Sequence, residues 1–92
     1  GVKLIWNQKF TKGKISKEEA QNFDFKATLT YNDEVVSDEN VHYLYTGVQS
    51  NLKPYSSTTT APTEPGVYTM TAVTVGGNYQ ATPIIRTFTI TK

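Results

Sequence analysis

Four segments of this 92-residue chain alternate apolar and polar residues with a period of two. In the clearest of them, FDFKATLTY (residues 23–31), Phe, Ala, Leu and Tyr share one parity, whereas Asp, Lys and Thr take the other. Because successive side chains of a β-strand point to opposite faces, this pattern predicts an antiparallel strand with one buried face and one solvent-exposed face. The segments VHYLYT (41–46), VYTMTAVTV (67–75) and IIRTFTIT (84–91) predict further strands of the same kind.

Two more strands are predicted from weaker patterns, in VKLIWNQKF (2–10) and in a short stretch from Tyr55 to Thr59. Gly47 is expected to end the strand that begins at residue 41. After the strand of residues 67–75, Gly76-Gly77-Asn78 predicts a hairpin connection. These turn and breaker signals space the strands as in a sandwich or a barrel.

The parity of the last predicted strand is broken by a single charge. Ile84, Phe88 and Ile90 share one face, and Arg86 falls on that same face. Either Arg86 lies at a rim where its guanidinium reaches water, or a bulge near Pro83 shifts the register. We prefer the rim.

Composition supports a sheet-rich chain with little helix. The fifteen threonines, six tyrosines and four phenylalanines are residue types that favour strands. The only helical signal is SKEEAQN (16–22), in which Ser16 and Glu19 have the spacing of a capping box. One or two turns are expected there, too few to cover a sheet.

Length and charge exclude several classes of protein. Ninety-two residues predict one domain, 1–92, and a net charge of +1 gives no reason to expect a nucleic-acid partner. No apolar run reaches the roughly 20 residues that span a bilayer, so no membrane insertion is expected within these residues. The chain has no cysteine for a disulfide or a thiolate site. Because it begins at Gly1 and ends on a strand-like segment, we expect a module of a longer, multi-module protein, monomeric as a fragment.

The segment around Tyr68 resembles the tyrosine corner of immunoglobulin-like sandwiches. In that motif a tyrosine near the start of the penultimate strand donates its hydroxyl to the backbone upstream, at a crossing between sheets. Glu64-x-Gly66-x-Tyr68-x-Met70 has its spacing, with Met70 in place of the disulfide cysteine. We therefore expect an all-β fold, an immunoglobulin-like antiparallel β-sandwich of about seven strands with one short helical turn. A β-grasp-like α+β arrangement is the alternative.

Residues 27–92 also resemble the immunoglobulin-like and MBG-type repeat modules of Gram-positive adhesins. The resemblance lies in APTEPGVYTMTA, GGNY and FTITK, and the first 26 residues depart from it. It implies a secreted or cell-wall-anchored surface protein in which non-enzymatic repeat modules space or present adhesive domains, with adjacent modules of the same chain as partners. Two alternatives stay open: a module that itself binds a glycan or host glycoprotein, and an accessory β-sandwich of an extracellular carbohydrate-active enzyme.

Two groups of residues are candidates for binding. Lys9, Lys12 and Lys14, together with Lys17, form a basic stretch that could meet anionic glycans or wall polymer, although edge lysines more often keep strands unpaired. Tyr55 and Tyr79 belong to a set of aromatic residues, with Tyr43, Tyr45 and Trp6, that could build a platform for sugar or could be core.

No catalytic, metal or cofactor site is predicted. His42, the only histidine, alternates away from the apolar face of its strand, and no nucleophile or carboxylate is signalled beside it. The acidic segment NDEVVSDEN (32–40) lacks the spacing of a calcium loop, so a solvated acidic hairpin is preferred to a calcium site.

Overall fold

The computed structural model describes all residues from Gly1 to Lys92 and contains eight strands and one short helix. In chain order these are β1 (Val2–Trp6), β2 (Lys14–Ser16), α1 (Lys17–Ala20), β3 (Ala27–Tyr31), β4 (Glu34–Val35), β5 (Val41–Gln49), β6 (Pro54–Ser57), β7 (Gly66–Thr74) and β8 (Ile84–Thr91).

The strands form two sheets. β1, β3 and β4 make an antiparallel three-stranded sheet, and β2, β8, β7, β5 and β6 make a five-stranded sheet in that spatial order. Every pairing in the larger sheet is antiparallel except that of β2, which runs parallel to β8. The expectation of a mainly β chain with two sheets is confirmed. The β-grasp-like alternative is not observed, because the only helix has four residues and the strands form two separate sheets.

The long strands follow the predicted alternation. In β7 the side chains of Tyr68, Met70 and Ala72 are buried, and the residues between them are exposed or half-buried. The β7–β8 pairing is continuous from Gly66↔Ile90 to Ala72↔Ile84. Residues 75–83 join β7 to β8, as predicted, and we call the end of the molecule where this connection lies the upper end.

Three predicted strand boundaries are wrong, each for a local reason. The first strand ends at Trp6 rather than at residue 10, because Phe10 leaves the strand and packs in the core. The strand predicted from residue 23 begins at Ala27, because the Asp24 carboxylate accepts a hydrogen bond from the Lys26 N–H (3.0 Å) and turns the backbone. Gly47 does not end β5, which continues to Gln49.

Two short strands escaped prediction. β2 has one apolar residue, Ile15, between polar neighbours, and β4 has two residues after the turn at Asn32-Asp33. Neither is long enough for a period to be recognised. β2 nevertheless closes the lower part of the edge of β8, over the pairs Lys14↔Thr89 to Ser16↔Thr91.

The helix begins as predicted. Ser16 caps α1, because its Oγ accepts a hydrogen bond from the Glu19 N–H (3.0 Å) while Glu19 Oε1 accepts one from the Ser16 N–H (2.9 Å). The helix buries Ala20 in the core. Its four residues cover only a small part of one sheet.

The buried side chains form two clusters, one above the other on the inner face of the five-stranded sheet. The aromatic cluster lies at the lower end, where β8 ends, and contains Phe10, Ile15, Ala20, Phe25, Tyr45, Tyr68, Met70, Phe88 and Ile90. The aliphatic cluster lies towards the upper end, between the two sheets, and contains Leu4, Ala27, Leu29, Val41 and Ala72. None of the nine residues of the aromatic cluster belongs to the three-stranded sheet.

Candidate functional site

One side of the molecule is open between the two sheets. A groove of about 340 Å³ runs between β1 and the first half of β8, and we call it the lateral groove. Five of its seven lining residues are apolar; the lining is Leu4, Ile5, Trp6, Lys9, Ile84, Ile85 and Arg86. This volume is close to the lower limit, ~300 Å³, of small-molecule pockets.

The groove exists because two strand edges are left uncovered. β1 pairs only with β3, and β2 covers β8 only from Thr89 onwards. The chain turns away between the two strands through Lys12 and Gly13, both with positive φ. The first half of β8 therefore faces β1 of the other sheet with no strand between them.

Two cations lie at this groove without an anionic partner. Arg86 is half-buried on the inner face of β8, which runs in continuous register with β7, so the predicted rim position is confirmed and no bulge occurs. Lys9 is exposed at the same groove. The one salt bridge of the molecule joins Lys17 to Glu64, 3.1 Å apart, and involves neither residue.

The predicted basic stretch is divided by the fold. Lys9 and Lys14 line a polar depression of about 340 Å³ beside α1, and Lys12 stands on the turn that precedes β2, outside that lining. Glu19 also lines the depression, and the hydrogen bond from the Ser16 backbone holds the pKa of its carboxyl below the ordinary value. An anion there would meet a carboxylate as well as two ammonium groups, so the depression is a weaker anion site than the sequence suggests.

The aromatic candidates are not brought together. Tyr55 is half-buried against the aromatic cluster, its ring edge-on to Tyr68 at 5.8 Å, and its hydroxyl donates to the Thr60 carbonyl. Tyr79 lies against the aliphatic cluster at the upper end, beside the exposed ring of Tyr31 at 5.3 Å. No common sugar platform is formed by these rings.

Two other tyrosines have structural roles in the core. The Tyr45 hydroxyl donates to the Phe25 carbonyl (3.1 Å), and the Tyr43 hydroxyl both donates to the Ala27 carbonyl (3.2 Å) and accepts from the Ala27 N–H (2.9 Å). These bonds tie β5 to the chain that enters β3, so they link the two sheets. Burial raises the pKa of Tyr45 to about 12 and also raises the pKa of Tyr43.

The Tyr68 side chain takes the predicted position. It is 1% exposed, and its hydroxyl donates to the Glu64 carbonyl (2.6 Å). Glycine makes room on both sides: a Cβ at Gly47 would lie 2.7 Å from the ring, and a Cβ at Gly66 would lie 2.8 Å from the hydroxyl. The predicted crossing between sheets is wrong, because the strands before and after this corner, β6 and β7, belong to the same sheet.

The acidic segment and the histidine form no cluster. No group of three or more His, Asp or Glu side chains lies close enough together to hold a metal ion. His42 is exposed on the outer face of the five-stranded sheet, as its parity predicted. No helix of the structure is both long enough and apolar enough to cross a bilayer.

The lateral groove was missed in the sequence, although a signal for it exists. Leu4-Ile5-Trp6 and Ile84-Ile85 are consecutive apolar residues in otherwise alternating strands. Ile5 is 51% exposed and Ile85 is 65% exposed, so apolar atoms reach the surface beside the groove from both sheets. In each run, one apolar side chain faces the inside of the molecule and its neighbour is exposed on the outer face of its sheet.

Searches against protein-family models, curated proteins and solved structures find no match to this chain.

Proposed function

We propose that this chain is an immunoglobulin-like, non-enzymatic module of a secreted or wall-anchored bacterial surface protein, in which it spaces or presents neighbouring domains. The observation that carries the proposal is that the contacts of Gly1 and the direction of β8 lead the two chain ends to opposite ends of the strands, in an elongated molecule of 41 × 23 × 17 Å.

The strand directions account for these positions. The Gly1 amino group donates to Asn32 Oδ1 (3.0 Å) at the upper end, and the neighbouring ring of Tyr31 touches Tyr79 in the β7–β8 connection. β8 starts from that connection and runs to the lower end, where Lys92 lines a shallow depression with Glu64. Modules with this geometry can be joined end to end, so that each added copy extends the array.

The strand order supports the immunoglobulin-like part of the proposal. The order β8-β7-β5-β6 matches the last, penultimate, third and following strands of a variable-type immunoglobulin sheet, and β1 pairs with β3 as the first two strands do. Tyr68 stands near the start of the penultimate strand with its hydroxyl bonded four residues upstream. The smaller sheet departs from that pattern, because the two-residue β4 replaces two full strands.

The side chains support a structural role over a catalytic one. The buried tyrosine hydroxyls are engaged by backbone groups, and no buried side-chain oxygen or nitrogen lacks a partner. Cross-strand neighbours Thr46, Thr69 and Thr87 give the middle of the outer face a row of hydroxyls. Such a face keeps a module of low net charge soluble. The resemblance to adhesin repeats supports the cell-surface location and adjacent modules as partners.

The proposal is tested by the shape of tandem copies in solution. We expect three directly fused copies to lengthen by close to the 41 Å long axis for each added copy in small-angle X-ray scattering. Copies joined by a flexible Gly/Ser linker are the matched control, and they should give a broader and less extended distance distribution. Direct fusions that collapse into a compact particle, or that are as flexible as the control, would contradict a spacing function.

A further inference from the structure

We propose that the lateral groove binds an extended acidic peptide segment of a partner protein, which adds as a strand to the uncovered edge of β8. In this arrangement the carboxylate of the peptide meets Lys9 and Arg86, and alternate apolar side chains enter the groove.

The edge of β8 offers unpaired backbone groups in the right direction. The Thr89 N–H donates to the Gly13 carbonyl (3.0 Å), so the backbone groups of Thr89 point away from β7. The direction of the backbone groups alternates from residue to residue along an antiparallel strand. The N–H and C=O groups of Ile85 and Thr87 therefore also point away from β7, towards the open edge of the sheet. No backbone hydrogen bond of the molecule reaches them on that side. An extended peptide supplies donors and acceptors at the matching spacing, which a sugar or a helix does not.

The chain already uses the next part of this edge in the same way. β2 pairs with β8 in parallel from Lys14↔Thr89 to Ser16↔Thr91 and stops where the backbone turns at Gly13. A guest strand would continue the line of β2 towards the upper end, opposite residues 84–87. About four residues of peptide, at ~3.3 Å each, would fill that length.

The side chains of the groove specify the guest further. Peptide side chains that point into the groove would contact the apolar residues Leu4, Trp6 and Ile84. Peptide side chains of the other parity would lie beside Ile85 on the outer face of the sheet. Arg86 and Lys9 are the only charged residues of the lining, and neither has an acidic partner. An acidic residue in the guest would therefore gain an ion pair without displacing one, whereas a basic residue would be repelled.

The only tryptophan of the chain reports binding directly, because Trp6 lines the groove. The probe is a capped hexapeptide, Val-Thr-Asp-Thr-Val-Thr, in which the aspartate shares the parity of the two valines and so faces the groove with them. It is titrated into the 92-residue chain while Trp6 fluorescence is followed. We expect a saturable blue shift of the emission. A lysine in place of the aspartate, or N-methylation of alternate amides, should weaken binding at least about tenfold, because each removes about 1.4 kcal/mol or more of polar interaction.

Variants of the protein distinguish backbone pairing at the edge of β8 from nonspecific hydrophobic binding. Thr87→Pro removes the N–H that points to the open edge, puts the proline ring in its place and leaves the N–H groups directed at β7 unchanged, so it should weaken binding at least about tenfold. Thr87→Ala also removes the threonine side chain but keeps the N–H, and it should change binding less than about twofold. Arg86→Glu should reverse the preference, so that the lysine peptide binds more tightly than the aspartate peptide. If Thr87→Pro does not fold, as judged by circular dichroism, the N-methylated peptide answers the same question with the unaltered protein.

Several outcomes would overturn the inference. These are no saturable shift up to millimolar peptide, equal binding of the N-methylated peptide, or a Trp6 shift produced by oligosaccharides but not by peptide. Self-association of the chain in sedimentation, with a Trp6 shift that needs no peptide, would assign the groove to a second copy instead.

Discussion

The two hydrophobic clusters lie on the same face of the five-stranded sheet, but different parts of the chain cover them. Over the upper half of the five-stranded sheet, the covering layer is the three-stranded sheet, and the cluster between them contains two alanines and no buried aromatic ring. Over the lower half, the covering layer is irregular chain and the short helix α1, and the cluster contains five aromatic rings.

The difference follows from what each covering layer can supply. A strand presents side chains at regular intervals and can pack closely, so Ala27 and Ala72 suffice beside Leu4, Leu29 and Val41. Irregular chain presents fewer side chains for each length of sheet covered, so large rings have to fill the space. Phe10 stacks on Phe88 at 4.6 Å, and both come near Phe25.

The two halves also differ in how their sides are closed. β2 covers the edge of β8 beside the aromatic cluster and contributes Ile15 to it, whereas the aliphatic cluster borders the lateral groove through Leu4 with no strand over that edge. The upper cluster is the smaller of the two, with five buried residues against nine, so the lower half should carry more of the stability.

The largest test of this difference is a pair of truncations, one in each cluster. Phe88→Ala should cost about 3–5 kcal/mol, because Phe88 is 2% exposed and enclosed by rings. Leu4→Ala should cost about 2 kcal/mol, the low end of its range, because water can enter from the groove. Urea denaturation monitored by circular dichroism measures both, and equal losses would mean that the two clusters are equally closed.

The regular parts of the fold could be predicted from the sequence, because they depend on local pattern. Alternation found β5, β7 and β8, and the spacing of Ser16 and Glu19 found the start of α1. The spacing around Tyr68 predicted its hydroxyl bond to the upstream backbone, since that bond spans only four residues.

The lower cover and the groove depend on contacts between distant residues, so no local period signals them. Phe10 and Phe25 were assigned to strands because they continue an alternating pattern, yet both lie in irregular chain over the aromatic cluster. β2 pairs with residues more than 70 positions away. For the same reason the candidate residues Lys12, Tyr55 and Tyr79 could be proposed from the sequence, but their separation in space could not be foreseen.

The second test concerns how tightly β5 and β7 approach around Tyr68 in the lower half. Gly47→Ala should cost about 1–3 kcal/mol, because the new Cβ would press on the Tyr68 ring and on the backbone of β7. Gly13→Ala is the control: its φ is +71° but nothing lies within 4 Å, so only backbone strain of about 1 kcal/mol is expected. Thermal melts of both variants give the comparison. A smaller loss for Gly47→Ala than for Gly13→Ala would show that β5 and β7 can move apart at low cost.

The third test uses alkaline pH, which acts mainly on the lower half. The pKa values of Tyr45, Tyr68 and Tyr55 are all raised by burial, that of Tyr45 to about 12. In the unfolded chain these groups titrate near ~10, so above that pH the unfolded state binds fewer protons than the folded state. The contribution of these tyrosines to stability should be constant below this value and should fall as pH rises towards 12.

Tyr45→Phe isolates one contribution to that fall. The variant loses the hydrogen bond to the Phe25 carbonyl at every pH, but its stability should decline less steeply between pH 10 and 12 than that of the unaltered chain. Denaturant midpoints measured at several pH values, with tyrosinate absorbance as a second probe, give the slopes. Parallel slopes would mean that Tyr45 is not buried enough to resist ionisation.

The smallest effect is expected at the start of α1, which holds the cover of the lower half in place. Ser16→Ala should cost about 1 kcal/mol, because it removes the Oγ that accepts the Glu19 N–H. Ser56→Ala, on the exposed face of β6, is the control and should be nearly neutral. The other half of the capping box is the hydrogen bond from the Ser16 backbone N–H to the Glu19 carboxylate, and it lowers the pKa of Glu19. The stabilisation from that bond is present above the ordinary Glu19 pKa of 4.5 and is lost as the pH falls. If Ser16→Ala costs no more than Ser56→Ala at neutral pH, the helix is held by the burial of Ala20 rather than by its cap.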